Sequence, residues 1–412
     1  MNSDISASEL SIEAFDYPLP ESSIAFEPNP DRESSRLLVY REGSLVESRY
    51  SDIADYLDDQ DYAVFNNSRV VQARLQFEPA GGKKIEIFCL EPADKTLDQT
   101  LALQREGEVL WRCFVGNAKK WKGSTLSRKV DAEGRTFTLS AELTGREGDV
   151  CLVRLFWDDE RLVFADVLEA AGKIPLPPYI EREATESDKL TYQTIYARDH
   201  GSVAAPTAGL HFTERIFTRL KARGISYDYL TLHVGAGTFK PVKADKVGEH
   251  VMHDEQLLLD RAFLSRLLEA ARRGKNIVAV GTTSARFLES VYWIGCKLIA
   301  SSELEPSLGQ WEAYRARPWP VEDALKRLLD YMEAGGLSRL QARTSIMIMP
   351  GYDWKIVDKL VTNFHQPKST LVMLVASFIG DDWREVYQYA LNHHFRFLSY
   401  GDGCFLEKKK NA

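Results

Sequence analysis

Five of the eight histidines sit in short segments that also carry glycines, hydroxyls or carboxylates. His211 lies in 204–212, His233 in 232–239, His250 and His253 in 250–255, and His365 in 362–370; His200, His393 and His394 lie outside. Imidazole exchanges its proton most readily near neutrality, so such company points to proton transfer at a bound substrate. A single histidine is more often a packed or surface residue, and that plainer reading stands beside each one. Gly235-Ala236-Gly237-Thr238 follows a strand-like run, where glycines let a backbone approach a ligand. The pattern is not the dinucleotide fingerprint, because GxGxxG is incomplete and no helical pattern follows, and a tight turn explains it equally. Gly281-Thr282-Thr283-Ser284 opens a second turn. It could hold a ligand carboxylate or hydroxyl at a helix N-terminus, with Arg286 near, or simply cap a helix.

Two tempting motifs fail on spacing. His250-x-x-His253-x-Glu255 is not HExxH and has no downstream ligand at conventional spacing, so no metal is expected. Lys368-Ser369-Thr370 ends like a phosphate loop, but Asn363-Phe364-His365-Gln366-Pro367 lacks the glycines it needs. A basic stretch, 105–135, holds eight basic and four acidic residues with Trp111, Phe114 and Trp121 interleaved. Lys119-Lys120-Trp121-Lys122 could grip a phosphate backbone beside a stacking ring, or be charged barrel surface.

The elements that must position these residues fall into two textures. From 71 to 172, β-type runs at 84–90, 109–115, 136–139 and 150–157 alternate with glycine punctuation, which predicts a small β-barrel or sandwich. Outside it the pattern is mixed. Strands are expected at 36–40, 63–65, 229–233 and 276–280. Helices are expected at 213–223 with Thr213 as cap, 261–273, 321–334 and 381–392. The fold class is therefore α+β: a large mixed α/β domain from 1–70 and 173–412, with a small β-barrel domain inserted at 71–172. The uncharged run 369–380 is too short to span a membrane and reads as a buried element.

Composition fits a globular chain of 412 residues with net charge −8, which argues against a generally basic nucleic-acid coat but not against a local basic face. Five widely spaced cysteines, without a CxxC pair, read as buried thiols rather than a disulfide frame. The first residues show no secretory signal, so a cytoplasmic location without membrane attachment is expected.

Read together, the segments resemble one family. Phe15-Asp16-Tyr17-x-Leu19-Pro20, Ser35-Arg36-Leu37-Leu38, Asn66-x-x-Arg69-Val70 and Ala73-Arg74-Leu75 are similar to the N-terminal signature of the S-adenosylmethionine:tRNA ribosyltransferase-isomerases of queuosine biosynthesis. AAPTAGLHFT at 204–213, HVGAGTF at 233–239, His250-x-Met252-His253-x-Glu255, Pro350-Gly351-Tyr352, 363–370 and 396–402 continue it in order, so the match runs from about 15 to 406. The resemblance implies a mixed α/β domain with an inserted β-barrel. It also implies transfer and isomerisation of the ribosyl moiety of S-adenosylmethionine onto 7-aminomethyl-7-deazaguanine at the tRNA wobble position. Epoxyqueuosine would form, and adenine and methionine would leave.

That chemistry needs a base for a C5′ proton acidified by the sulfonium, an acid for departing adenine, and a route for the amine proton. It needs no metal or redox cofactor; S-adenosylmethionine is consumed as co-substrate, and tRNA is the partner. His211, His233, His253 and Asp402 are the expected catalytic residues. Arg69, Arg74, Thr207, Gly209, Gly235, Gly237, Thr238, Thr282, Arg286, His365, Lys368 and Ser369 are expected to bind substrate. His211, His233, His253 and His365 should approach one pocket with Thr207, Gly235, Thr238 and Asp402. Departures from the family pattern are Asn67 and Ser345, each where an Asp is usual, Gln366 for Leu, Gly403-Cys404 for Ala-Met, and a longer 292–341. They keep open a divergent paralogue using S-adenosylmethionine with another acceptor, or a non-catalytic RNA-binding protein on the same scaffold.

Overall fold

The computed structural model describes residues 9–78, 83–94, 96–121, 124–132, 134–235, 244–301, 303 and 305–409. Helices and sheets are mixed throughout. The larger sheet has ten strands. In spatial order they are Ser307–Leu308, Arg339–Thr344, Glu255–Asp260, Ser226–His233, Asp61–Asn66, Asn276–Val280, Val357–Asn363, Gly403–Glu407, Arg36–Arg41 and Ser44–Arg49.

The four central strands, from Ser226–His233 to Val357–Asn363, are parallel to one another. Parallel strands are covered on both faces, and the residues alternate accordingly. Tyr62, Val64, Ile277 and Ala279 enter the core on one side of the sheet, and Ala63, Phe65, Val278 and Val280 the core on the other. The first core is closed by the helices Arg261–Arg272, Thr282–Ala300, Val321–Ala334, Thr370–Ile379 and Trp383–Asn392, the second by Glu214–Ala222. Thr213 caps Glu214–Ala222 by accepting from the Ile216 N–H at 3.3 Å, and Gly224 leaves the helix with φ 73°. The uncharged run near 370 is the largely buried helix Thr370–Ile379.

Most of 71–172 forms a second sheet, antiparallel throughout. Its seven strands lie in the order Gly172–Lys173, Arg74–Phe77, Ile85–Pro92, Glu108–Gly116, Val150–Trp157, Arg135–Glu147, Leu126–Ala132. Val150–Trp157 alternates buried and half-buried residues along its length, so one face carries a core of its own, including Trp111, Phe137 and Phe164. The sheet curls. Arg128 on its last strand lies 5.6 Å over the Phe77 ring and donates to the Ala171 carbonyl at the end of helix Phe164–Ala171. Among the described residues no hydrogen-bond ladder joins Leu126–Ala132 to Arg74–Phe77. All five cysteines are buried and free. Among the described residues no helix is long and apolar enough to cross a membrane.

Candidate active site

Three of the four central parallel strands end at one cleft, with about 160 Å³ of internal space. Val234 follows Ser226–His233, Gly281, Thr282 and Thr283 follow Asn276–Val280, and 364–370 follow Val357–Asn363. Ligands of open α/β sheets bind beyond the carboxyl ends of parallel strands, where helix N-termini point outward. Tyr179, Tyr192, Thr207, Met252 and Met347 complete the walls.

His253 sits where the chain enters the strand Glu255–Asp260, and its Nε2 is 3.2 Å from Glu255 Oε1. Glu255 is buried, and its other oxygen accepts from Arg286 Nη1. Burial pushes the Glu255 carboxyl up. The Arg286 guanidinium, the His253 contact and the Gly235 N–H outweigh that and hold it below the usual carboxylate range. An ionised carboxylate only accepts, so the Nε2–H of His253 donates to Glu255 and Nδ1 is the ring nitrogen free of that contact. With a quarter of its side chain exposed, His253 reaches the cleft. His250, also in the cleft, is pushed down by burial and by His253.

Of the residues singled out in the sequence, Thr207, His253, Thr282, Arg286, His365, Lys368 and Ser369 line the cleft. His365 receives 2.8 Å contact from the Thr362 hydroxyl at Nε2, and burial pushes its pKa down to about 3. Thr207 donates to Asn363 at 2.8 Å. Lys368, in a left-handed conformation with φ 55°, is paired with Glu13 at 2.9 Å and Asp16 at 3.1 Å, so its charge is already compensated. Ser369 caps the helix Thr370–Ile379. Gly235 lies against His253 and serves Glu255 with its N–H. Gly237 and Thr238 lie outside the described residues.

The remaining residues expected at the site lie outside this cleft. His211 stands behind the cleft wall, stacked on Tyr50 at 4.1 Å and 3.4 Å from Asn363 Nδ2. His233 turns away from the cleft toward 71–172, with Thr100 Oγ1 3.4 Å from its Nε2 and Gly201 packed on its ring. Burial pushes both imidazoles down to about 4. Asp402 is buried and spends its two oxygens on the backbone N–H groups of Arg36 and Arg396, each at 2.8 Å, tying two chain segments together. Arg69 is an exposed residue of the short strand Ser68–Val70. Arg74 pairs with Glu86 and lies over the Phe88 ring. Gly209 is a packing glycine, since a Cβ there would meet the Tyr196 hydroxyl at 2.0 Å. Trp121 is 4% exposed and donates to the Ser124 carbonyl, so it cannot stack on a base; Lys119 and Lys120 are exposed, and Lys122 lies outside the described residues.

Glu255 is the residue that the sequence reading noticed but gave no role. The signal was its place two residues from His253 at the mouth of a strand, which is where a carboxylate can orient an imidazole. Tyr179 also lines the cleft, and so does Thr283 of the turn expected to hold a ligand carboxylate or hydroxyl.

A sheet-end cleft with a carboxylate-held histidine and two helix N-termini is the arrangement of an α/β enzyme. The chain matches the profile of the queuosine biosynthesis protein family over residues 12–406 and belongs to that family. It is similar to the S-adenosylmethionine:tRNA ribosyltransferase-isomerase of Azoarcus sp. (strain BH72), 38% identical over 98% of this chain and 99% of that one. The protein of the same name from Dechloromonas aromatica (strain RCB) is 38% identical over 97% of each. A crystal structure of S-adenosylmethionine tRNA ribosyltransferase from Thermotoga maritima covers 95% of this chain and 99% of its own, at 29% identity and a TM-score of 0.46.

Proposed function

We propose that the chain is an S-adenosylmethionine:tRNA ribosyltransferase-isomerase. It transfers the ribosyl moiety of S-adenosylmethionine to 7-aminomethyl-7-deazaguanine at the tRNA wobble position, giving epoxyqueuosine, adenine and methionine. The supporting observation is the cleft in which His253, held by buried Glu255, faces the Thr282 and Ser369 helix starts, in a chain of this family. In this reading His253 exchanges the proton that the sulfonium makes acidic or that adenine needs to leave. Thr207, Thr282, Arg286 and His365 position the co-substrate, and S-adenosylmethionine is consumed without a resident cofactor.

We read 71–172 as an inserted small β-barrel domain, its gap spanned by helix Phe164–Ala171, and 1–70 with 173–412 as the main domain. The separate core beneath the seven-stranded sheet supports this. A cytoplasmic enzyme acting on tRNA completes the reading. The test is incubation with S-adenosylmethionine and an anticodon stem–loop bearing the aminomethyl base. Adenine and methionine should appear one for one with modified RNA. Absence of adenine under conditions where both substrates bind would remove the proposal.

A further inference from the structure

Arg286 lines the cleft at 6% exposure, yet among the described residues only its Nη1 has a partner, Glu255. Its Nε and Nη2 are buried without one, and so is the hydroxyl of Thr283, three residues earlier on the same helix face. Thr283 stands on the first turn of the 19-residue helix Thr282–Ala300, and Arg286 opens the second. The N-cap is Gly281, with φ 93° and no side chain to cap the turn. The free N–H groups of a helix start and the positive end of its dipole add to the same corner.

What is unsatisfied there consists of donors: two guanidinium nitrogens, a helix start, and a hydroxyl that can donate. Buried donors without acceptors are costly, so the complementary ligand is a group that only accepts. In S-adenosylmethionine the ribose hydroxyls and adenine present donors as well as acceptors; the carboxylate of its amino-acid end presents acceptors alone.

We propose that Arg286, Thr283 and the Gly281–Thr282 turn form the subsite that takes the carboxylate of S-adenosylmethionine. The inference rests on the ribosyl-transfer reading and deepens it. An RNA phosphodiester offers similar chemistry, but Arg286 is only 6% exposed, which suits the end of a small molecule better than a polymer backbone. Because Arg286 also holds Glu255, and Glu255 holds His253, the carboxylate anchors the co-substrate on the same network that orients the imidazole.

The test compares calorimetric binding of S-adenosylmethionine with that of its decarboxylated analogue. The wild-type protein should prefer the intact molecule by about 10- to 100-fold, the range of a charge-assisted contact. Thr283→Val, which keeps the shape and removes the hydroxyl, should cut that ratio severalfold while leaving the analogue's affinity unchanged. Arg286→Lys, which keeps a cation beside Glu255, should cut it further. Equal affinity of the wild type for both molecules overturns the subsite alone. Failure of both molecules to bind overturns it together with the ribosyl-transfer reading. Variants that weaken the anticodon stem–loop instead, with the ratio intact, assign the corner to RNA phosphate and overturn it too.

Discussion

A neutral imidazole enclosed by apolar side chains carries protons poorly, because burial lowers its pKa far below the pH at which it must take one up. Burial holds His211 and His233 near 4, and His365, which lines the cleft beside the Thr362 hydroxyl, near 3. His253 differs in reaching the cleft while being held by an ionised carboxylate. His253→Gln should therefore lower single-turnover adenine release by about 10²- to 10⁴-fold, the usual contribution of a positioned acid or base. Glu255→Gln, which leaves the imidazole but loosens its orientation, should cost less and shift the pH profile. If His365→Asn slows the reaction as much as His253→Gln, the assignment moves to the wrong side of the cleft. Position 67 behaves differently. Asn67 accepts from the Thr231 hydroxyl at 2.8 Å, the same hydroxyl lies 3.1 Å from Asp199, and the residue lines a second cavity rather than the cleft. Because Asn67 lies outside the cleft, Asn67→Asp should leave turnover within about twofold. A larger gain in rate would restore a catalytic meaning to that departure.

Period and punctuation made most elements legible. The strand at 276–280, the helix at 321–334 and the Thr213 cap were readable because each pattern is local: alternating burial, an amphipathic face, a side-chain oxygen before a first turn. The helix Thr282–Ala300 was not read as one, since most of its residues are buried and an all-round apolar helix shows no stripe. Its packing explains part of the longer 292–341 segment. Gly295 lets Val321–Ala334 approach so closely that a Cβ would meet the Ala324 carbonyl oxygen at 2.4 Å. Gly295→Val should destabilise the protein by about 1–3 kcal/mol through overpacking, read as a lower urea midpoint. The same variant should leave binding of S-adenosylmethionine unchanged in the folded protein, because Gly295 lies more than three turns along the helix from Thr282. The site was less legible than the elements. Clustering of histidines beside glycines singled out segments that meet at the cleft, but which way each ring faces depends on tertiary packing: Tyr50 claims His211 and Gly201 admits His233.

At the scale of the whole molecule, a net charge of −8 sets the background against which a polyanionic substrate must dock, so binding depends on local basic groups. The same whole-molecule view governs acid stability. His211, His233 and His365 are pushed from an ordinary 6.5 to about 4, 4 and 3 by burial. Between pH 6.5 and about 4 the unfolded chain binds protons that the folded chain refuses, so their contribution to stability is full above the unfolded pKa and falls as pH drops. Each can cost on the order of 3 kcal/mol once pH has fallen through that window. Glu255 acts in the same direction lower down: its depressed pKa gives stability above the ordinary carboxylate range that is lost as pH falls through the folded value. Between pH 7 and 5 the slope therefore belongs chiefly to the imidazoles. Over pH 6 to 5 these three imidazoles together should lower stability to urea by about 3–4 kcal/mol, each contributing roughly 1.4 kcal/mol per pH unit at most. His233→Gln removes one titrating group without touching the cleft and should flatten the slope by roughly 1.4 kcal/mol per pH unit at most. A slope that the substitution leaves unchanged would mean that His233 is protonated alike in both states, contrary to its place beneath Gly201.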